Sequence, residues 1–181
     1  MGCIGAGKST VARALGEIMG IEVFHLDRLW WQPGKYKIVG ATSVVTHTMA
    51  QDEVLQLEER IAAGKSWVID SGVANIAVRL ARADTVIFLD LPRWICTWRV
   101  LKRHNRPRPD YPDEVREGLG WLWLLLRWIW KRWPTERRPS VLSAIEEYGS
   151  KATVVYLHNR REVRSFLDGV RKNESVTDHP L

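Results

Sequence analysis

Gly2-Cys3-Ile4-Gly5-Ala6-Gly7-Lys8-Ser9 sets glycines, one amine and one hydroxyl in the spacing G-x-x-x-x-G-K-[ST], the pattern of a loop that wraps a polyphosphate. The chemistry needs each residue type where it stands. Glycines let main-chain N–H groups turn inward around a β-phosphate, and the helix that follows aims its positive end at the same oxygens. Lys8 is placed to bridge the β- and γ-phosphates, and the Ser9 hydroxyl to ligate Mg2+. Gly2, Gly5, Ala6, Gly7, Lys8, Ser9 and Thr10 are the candidate contacts for ATP. The plain alternative is a chance match at a helix start.

Other groups could act beside that loop. Asp27 follows the β-prone run Ile21–His25, and Asp70 ends the apolar run Ser66–Asp70. Open α/β sheets bind ligands at the carboxyl ends of their strands, so both carboxylates are candidate site residues. Asp27 could also merely cap the loop before Trp30, and Asp90 reads mainly as a helix starter ahead of Leu91-Pro92. Arg99 and Arg103 lie one helical turn apart and can point at one phosphate chain, where a planar donor fork suits phosphoryl oxygens. A solvated helix face is the alternative for them. Arg106, Arg108, Arg127 and Arg132 are further candidates of the same kind, and Arg79 is a candidate for an acceptor's anionic group. His25, His47, His104 and His158 have no metal-binding spacing and read as packing or surface residues. Oxidation of Cys3, inside the loop, would obstruct the phosphate site.

These groups need elements to hold them. Val11, Leu15 and Ile18 repeat at helical spacing over Thr10–Met19, with Gly20 as the stop. Strands are expected at Ile21–His25, Ser66–Asp70, Thr85–Leu91 and Ala152–Leu157. Helices are expected at Asp52–Ala63, Trp94–Lys102, Val141–Tyr148 and Arg161–Val170, and the tail beyond Lys172 reads as polar and frayed. Lys35–Met49 has too little pattern to assign. Strands alternating with helices indicate a parallel sheet covered on both faces. A loop of this type normally joins a buried strand to its helix, yet only Met1 precedes Gly2. The central strand is absent from the sequence, and a start upstream of Met1 is favoured over a fragment or a defective sheet.

Composition narrows the classes. With 181 residues, 45% apolar and 27% charged, the chain suits one ordinary globular domain. Two cysteines are too few for a disulfide framework, which points to a reducing cytoplasm. The uncharged run from Gly118 to Leu126 is far short of a membrane span, which disfavours a membrane partner. The net charge is +6, and residues 93–140 alone hold 12 Lys/Arg against 5 Asp/Glu. Such a patch suits phosphate-bearing ligands, nucleic acid or an anionic surface. Five of the ten tryptophans fall between Trp121 and Trp133. Packing of lid helices on the core explains them most simply, with a stacking acceptor pocket or a membrane-interface helix as alternatives.

With the loop, strands and basic insert in place, the chain resembles the adenylate-kinase-related P-loop kinases. More narrowly, it resembles the bacterial DNA topology modulation (FlaR-type) proteins. The resemblance runs from Gly2 to about Leu167 and rests on "GAGKSTVARALG", "HLDRLWWQPG", "SWVIDSG", "RADTVIFLDLPRWICTWRVLKR", "LRWIWKRWP" and "NRREVRSFL". It implies a P-loop NTPase three-layer α/β sandwich in a single domain over 1–181. An acceptor-binding region would span about 28–65, and an Arg- and Trp-rich lid about 99–140. Asp27 matches the acidic residue facing acceptor or magnesium shell, and Asp70 one near magnesium or substrate. Arg99 and Arg103 match paired lid arginines, and Asn159 a contact to the base. Ser71-Gly72 departs from the Gly-Asn-Tyr that relatives favour after this strand.

Three functions compete on this reading. The first is a magnesium-dependent kinase passing the ATP γ-phosphate to a small molecule or nucleotide, with Lys8, Asp27, Asp70, Arg99 and Arg103 as its catalytic set. The others are a nucleotide-dependent nucleic-acid binder or DNA topology regulator, and a plain ATPase. A monomer or homodimer would serve any of them.

Overall fold

The computed structural model describes residues 1–26, 36–39, 44–47, 51–70, 76–104, 106 and 119–177. Helix α1 (Lys8–Met19) springs directly from the Gly-rich loop and buries Val11, Ala12 and Leu15. It ends where Gly20 turns left-handed (φ 65°) and its N–H bonds back to Gly16 O, the usual glycine stop. Strand β1 (Val23–His25) follows, then a hairpin of β2 (Tyr36–Val39) and β3 (Val44–His47) in antiparallel register. Helix α2 (Gln51–Ala62) leads to β4 (Val68–Asp70), which runs parallel to β1 with His25 opposite Asp70. After the short α3 (Ile76–Leu80), β5 (Thr85–Leu89) pairs in parallel with β6 (Thr153–Leu157). Helix α4 (Arg93–Arg103) leaves β5, and α7 (Arg160–Thr177) closes the described chain.

Between α4 and β6 lies one continuous helical run. It comprises α5 (Leu119–Arg127), a π-helical segment (Trp128–Arg137) and α6 (Arg138–Tyr148), and both junction residues keep right-handed helical dihedrals. Pro134 sits inside the π segment. Proline lacks an N–H and crowds the preceding turn, and the wider π turn gives its ring room. Ile129 and Trp133 from this segment enter the core, where Trp133 stacks on Phe88 with centroids 6.3 Å apart. α1 packs on α7, and α3 on α6, so helices cover the strands on both sides. The core joins both pairs of strands through Leu15, Leu80, Phe88, Val100, Val141 and Leu157.

The sheet is split. Among the described residues no ladder joins β4 to β5, and a cavity of about 380 Å³ lies between them. Its walls are Val68, Ile69 and Asp70 on one side and Thr85, Val86 and Ile87 on the other, with Leu15 of α1 behind. Met1 and Gly2 form a two-residue stub at one end of this slot. Leu89 N donates to Met1 O at 2.9 Å, and Gly2 forms a parallel bridge with Leu89. A parallel strand running into Gly2 would complete the order β1-β4-stub-β5-β6.

The Met1 amine lies inside that slot, donating to Ile87 O at 2.5 Å. Burial, reinforced by the nearby Lys8 charge, lowers its pKa from the ordinary 8.0 to about 5. Between those values the unfolded chain holds a proton that the folded chain does not, so stability rises with pH. For the 181-residue chain the urea midpoint should climb between pH 5 and pH 8. Acetylating the amine should remove that slope, and a flat profile in the free-amine chain would contradict its burial.

One expectation is corrected and two readings are extended. The unassigned stretch holds the β2–β3 hairpin, and the last helix runs to Thr177 rather than fraying after Lys172. The run from Val141 is the end of a much longer helical segment beginning at Leu119. Asp27 and the loop Trp30–Gly34 lie outside the described residues.

Candidate functional site

The loop from Gly2 to Gly7 takes its shape from glycine at two positions above all. Gly5 has φ 82°, and a Cβ there would lie 2.4 Å from Cys96 O on α4. Gly7 has φ 98° and stands as the left-handed residue that opens α1. Any side chain at either position would be strained, and at Gly5 it would also collide with main chain. Arg99 of α4 reaches under the loop, its Nη1 donating to Ala6 O at 2.7 Å and Gly5 O at 3.4 Å. Those carbonyls are thereby drawn to the outer side. The amides of Gly5, Gly7, Lys8 and Ser9 donate to no main-chain carbonyl among the described residues. They are the orphan donors of a helix start, and α1, with 12 residues, supplies a full helix dipole behind them.

Lys8 arches back over this ring, its Nζ donating to Cys3 O at 3.1 Å. The ammonium therefore spans the concavity that a phosphate would fill. Ser9 is half-buried at the first turn of α1, and Thr10 is exposed. Among the described residues no cluster of three or more His, Cys, Asp or Glu could hold a metal. Magnesium does not require one, since it keeps several waters and takes one or two protein oxygens beside substrate phosphates. Ser9 Oγ and the Asp70 carboxylate are groups of that kind.

Asp70 ends β4 and is buried, and its Oδ2 pairs with His25 Nδ1 at 2.9 Å across the β1–β4 ladder. Lys8 and Asp70 line the same cavity. The fold thus gathers the loop, Lys8, Asp70 and Arg99 at the carboxyl ends of its parallel strands, where such sheets take ligands. His25, which reads from the sequence as a packing or surface residue, joins that group through its bond to Asp70. Its signal is non-local: only the pairing of β1 with β4 sets it against Asp70.

Other candidates have different employment. Asn159 caps α7, its Oδ1 accepting from Arg161 N and Glu162 N at 3.0 Å, while its Nδ2 binds Glu162 Oε1. Asp90 makes a two-pronged bond with Arg138 (2.6 and 3.0 Å), and that hydrogen bonding raises the Arg138 pKa. Arg79 is buried with Glu58 3.9 Å away. Burial pushes the Glu58 pKa up and the Arg79 charge partly offsets this. Glu58 was also overlooked, although it follows Val54 by four residues on the inward stripe of α2. Arg103 is half-buried one turn beyond Arg99; Arg106 and Arg127 are exposed, and Arg132 pairs with Glu136 on the surface. Arg108 lies outside the described residues. Cys3 is buried against Cys96 rather than facing the phosphate cradle. Its bond to the Cys96 thiol and its burial both raise its pKa.

Comparison with known proteins agrees with this architecture. No curated protein matches the sequence. A solved structure, the shikimate kinase from Bacteroides thetaiotaomicron, superposes with a TM-score of 0.51 at 15% identity. The match covers 96% of this chain and 95% of that one, so the two share a fold. The fold is the P-loop kinase-like α/β sandwich with parallel strands. The family model described as AAA domain matches residues 1–118, and the chain belongs to that family of P-loop proteins.

Proposed function

We propose that this protein is a magnesium-dependent phosphotransferase that moves the γ-phosphoryl group of ATP to a small-molecule or nucleotide acceptor. One observation carries the reading: the Gly2–Ser9 loop is folded as an anion cradle, with Arg99 bonded beneath it and Lys8 reaching back across it to Cys3 O. Its amides and Lys8 would hold the phosphates, and Ser9 with Asp70 would hold magnesium, which supplies charge neutralisation when bound. Asp27, two residues beyond β1, is the group proposed to orient the acceptor. Arg99 and Arg103 would balance the charge that develops on the transferring group, with water kept out by closure of the region about 99–140.

A kinase built on the same fold supports transfer over simple hydrolysis, and the motif resemblance to FlaR-type topology modulation proteins supports a nucleotide-linked role. No helix among the described residues is long and apolar enough to cross a membrane.

The test is a transfer screen with γ-labelled ATP against nucleosides, nucleoside monophosphates and small hydroxylated metabolites. Label is expected in a new product with at least one class, and at a rate that depends on acceptor concentration. Release of inorganic phosphate at a rate indifferent to every acceptor would make the protein a plain ATPase instead.

A further inference from the structure

Helix α4 has two faces of opposite character. On 3.6 residues per turn, Cys96, Arg99, Val100 and Arg103 fall within about 100° of arc. That face meets the phosphate loop and the core, where Cys96 and Val100 are fully buried. Trp94, Trp98 and Leu101 fall within about 60° on the opposite side, and all three are exposed. Trp94 and Trp98 keep 66% and 62% of their surface open. Since Arg99 already turns the other way, drawing α4 onto a bound nucleotide would not cover this stripe.

The neighbouring helical run extends it. Trp130 lies against the edge of α4, its Nε1 donating to Thr97 Oγ1 at 2.9 Å and its ring lying 4.9 Å from the Arg93 guanidinium carbon. It is exposed, as are Leu119, Trp123 and Leu124 on α5. An isolated surface leucine or tryptophan needs no explanation, but several exposed rings and leucines on helices in contact mark a docking surface. Its charge is one-sided. Arg93, Lys102, Arg127 and Lys131 are exposed beside these residues, and neither 93–104 nor 119–135 contains an Asp or Glu.

We propose that this aromatic and basic face docks the protein on an anionic lipid surface as a peripheral, reversible contact. Tryptophan, with an apolar body and one polar N–H, suits the headgroup boundary, and leucines between the rings enter the acyl region. Lysine and arginine at the rim meet anionic headgroups and add attraction that a neutral bilayer lacks. The aliphatic leucines argue against nucleic acid, where a groove of stacked rings spaced between phosphate contacts would be expected.

The experiment is sedimentation of the full chain with vesicles of phosphatidylcholine, with and without phosphatidylglycerol, over a salt series. Partitioning at least tenfold stronger onto the anionic vesicles is expected, declining as salt rises. Tryptophan emission should be quenched by lipids brominated on their acyl chains. Trp94→Ser with Trp98→Ser should cut partitioning more than tenfold, and Lys102→Glu with Lys131→Glu should do the same on anionic vesicles only. Both double variants should keep the wild-type melting temperature and magnesium-ATP affinity, which shows that the site and the fold are intact. No binding of the wild type to anionic vesicles at physiological salt overturns the proposal. So does tighter binding to a DNA or RNA duplex that the same variants abolish, or a dimer that they convert to monomers. None of these outcomes bears on the phosphate-transfer screen.

Discussion

Lys8→Ala should leave a folded protein that no longer transfers phosphate. The only described bond the ammonium makes within the protein is to Cys3 O, at a half-buried position, so its loss costs about 1 kcal/mol of stability. Its loss to the reaction is much larger. The ammonium reaches across the cradle to Cys3 O, and removing a single preorganised donor to developing charge costs roughly 10²–10³ in rate. Magnesium-nucleotide affinity should fall with it, by at least tenfold. Calorimetry with ATP and magnesium, alongside a thermal melt, separates the two effects. Full turnover in a well-folded variant would remove Lys8, and with it the phosphate loop, from the chemistry.

A second large effect is expected from filling the slot between β4 and β5. Fusing four or five alternating valines and isoleucines ahead of Met1 offers an extended segment to two edges whose partners are otherwise absent. Each such side chain contributes about 2 kcal/mol on full burial, against about 1–2 kcal/mol per residue of backbone ordering. The remaining gain comes from two ladders of hydrogen bonds and from converting the buried Met1 amine to an amide. A net gain of about 3–5 kcal/mol corresponds to a rise of roughly 10 °C in the melting temperature for a domain of this size. A Gly-Ser fusion of equal length is the control and should change little. If both fusions melted at the same temperature, the cavity would not be a strand site.

The phosphate loop was legible because its function depends on residues adjacent in sequence. Gly5, Gly7, Lys8 and Ser9 share one loop and one helix start, so spacing alone places them. The parallel strands were legible for a similar reason: short apolar runs such as Thr85–Leu89 alternate with helical stripes. What escaped depends on contacts between distant segments. His25 meets Asp70 only through the register of β1 with β4, and Asn159 becomes a helix cap only because Arg160 starts α7. The β2–β3 hairpin is four residues on each side, too short for periodicity to separate from loop. Pro134 sits inside the π segment, which carries the helix through it.

Arg99 ties Gly5 and Ala6 to a helix whose far side is studded with tryptophan. Any adhesion that displaced α4 by a fraction of an ångström would tug on the rim of the phosphate cup. Linkage then works in both directions: nucleotide that tightens the cup must change how strongly the far side adheres, by the same factor.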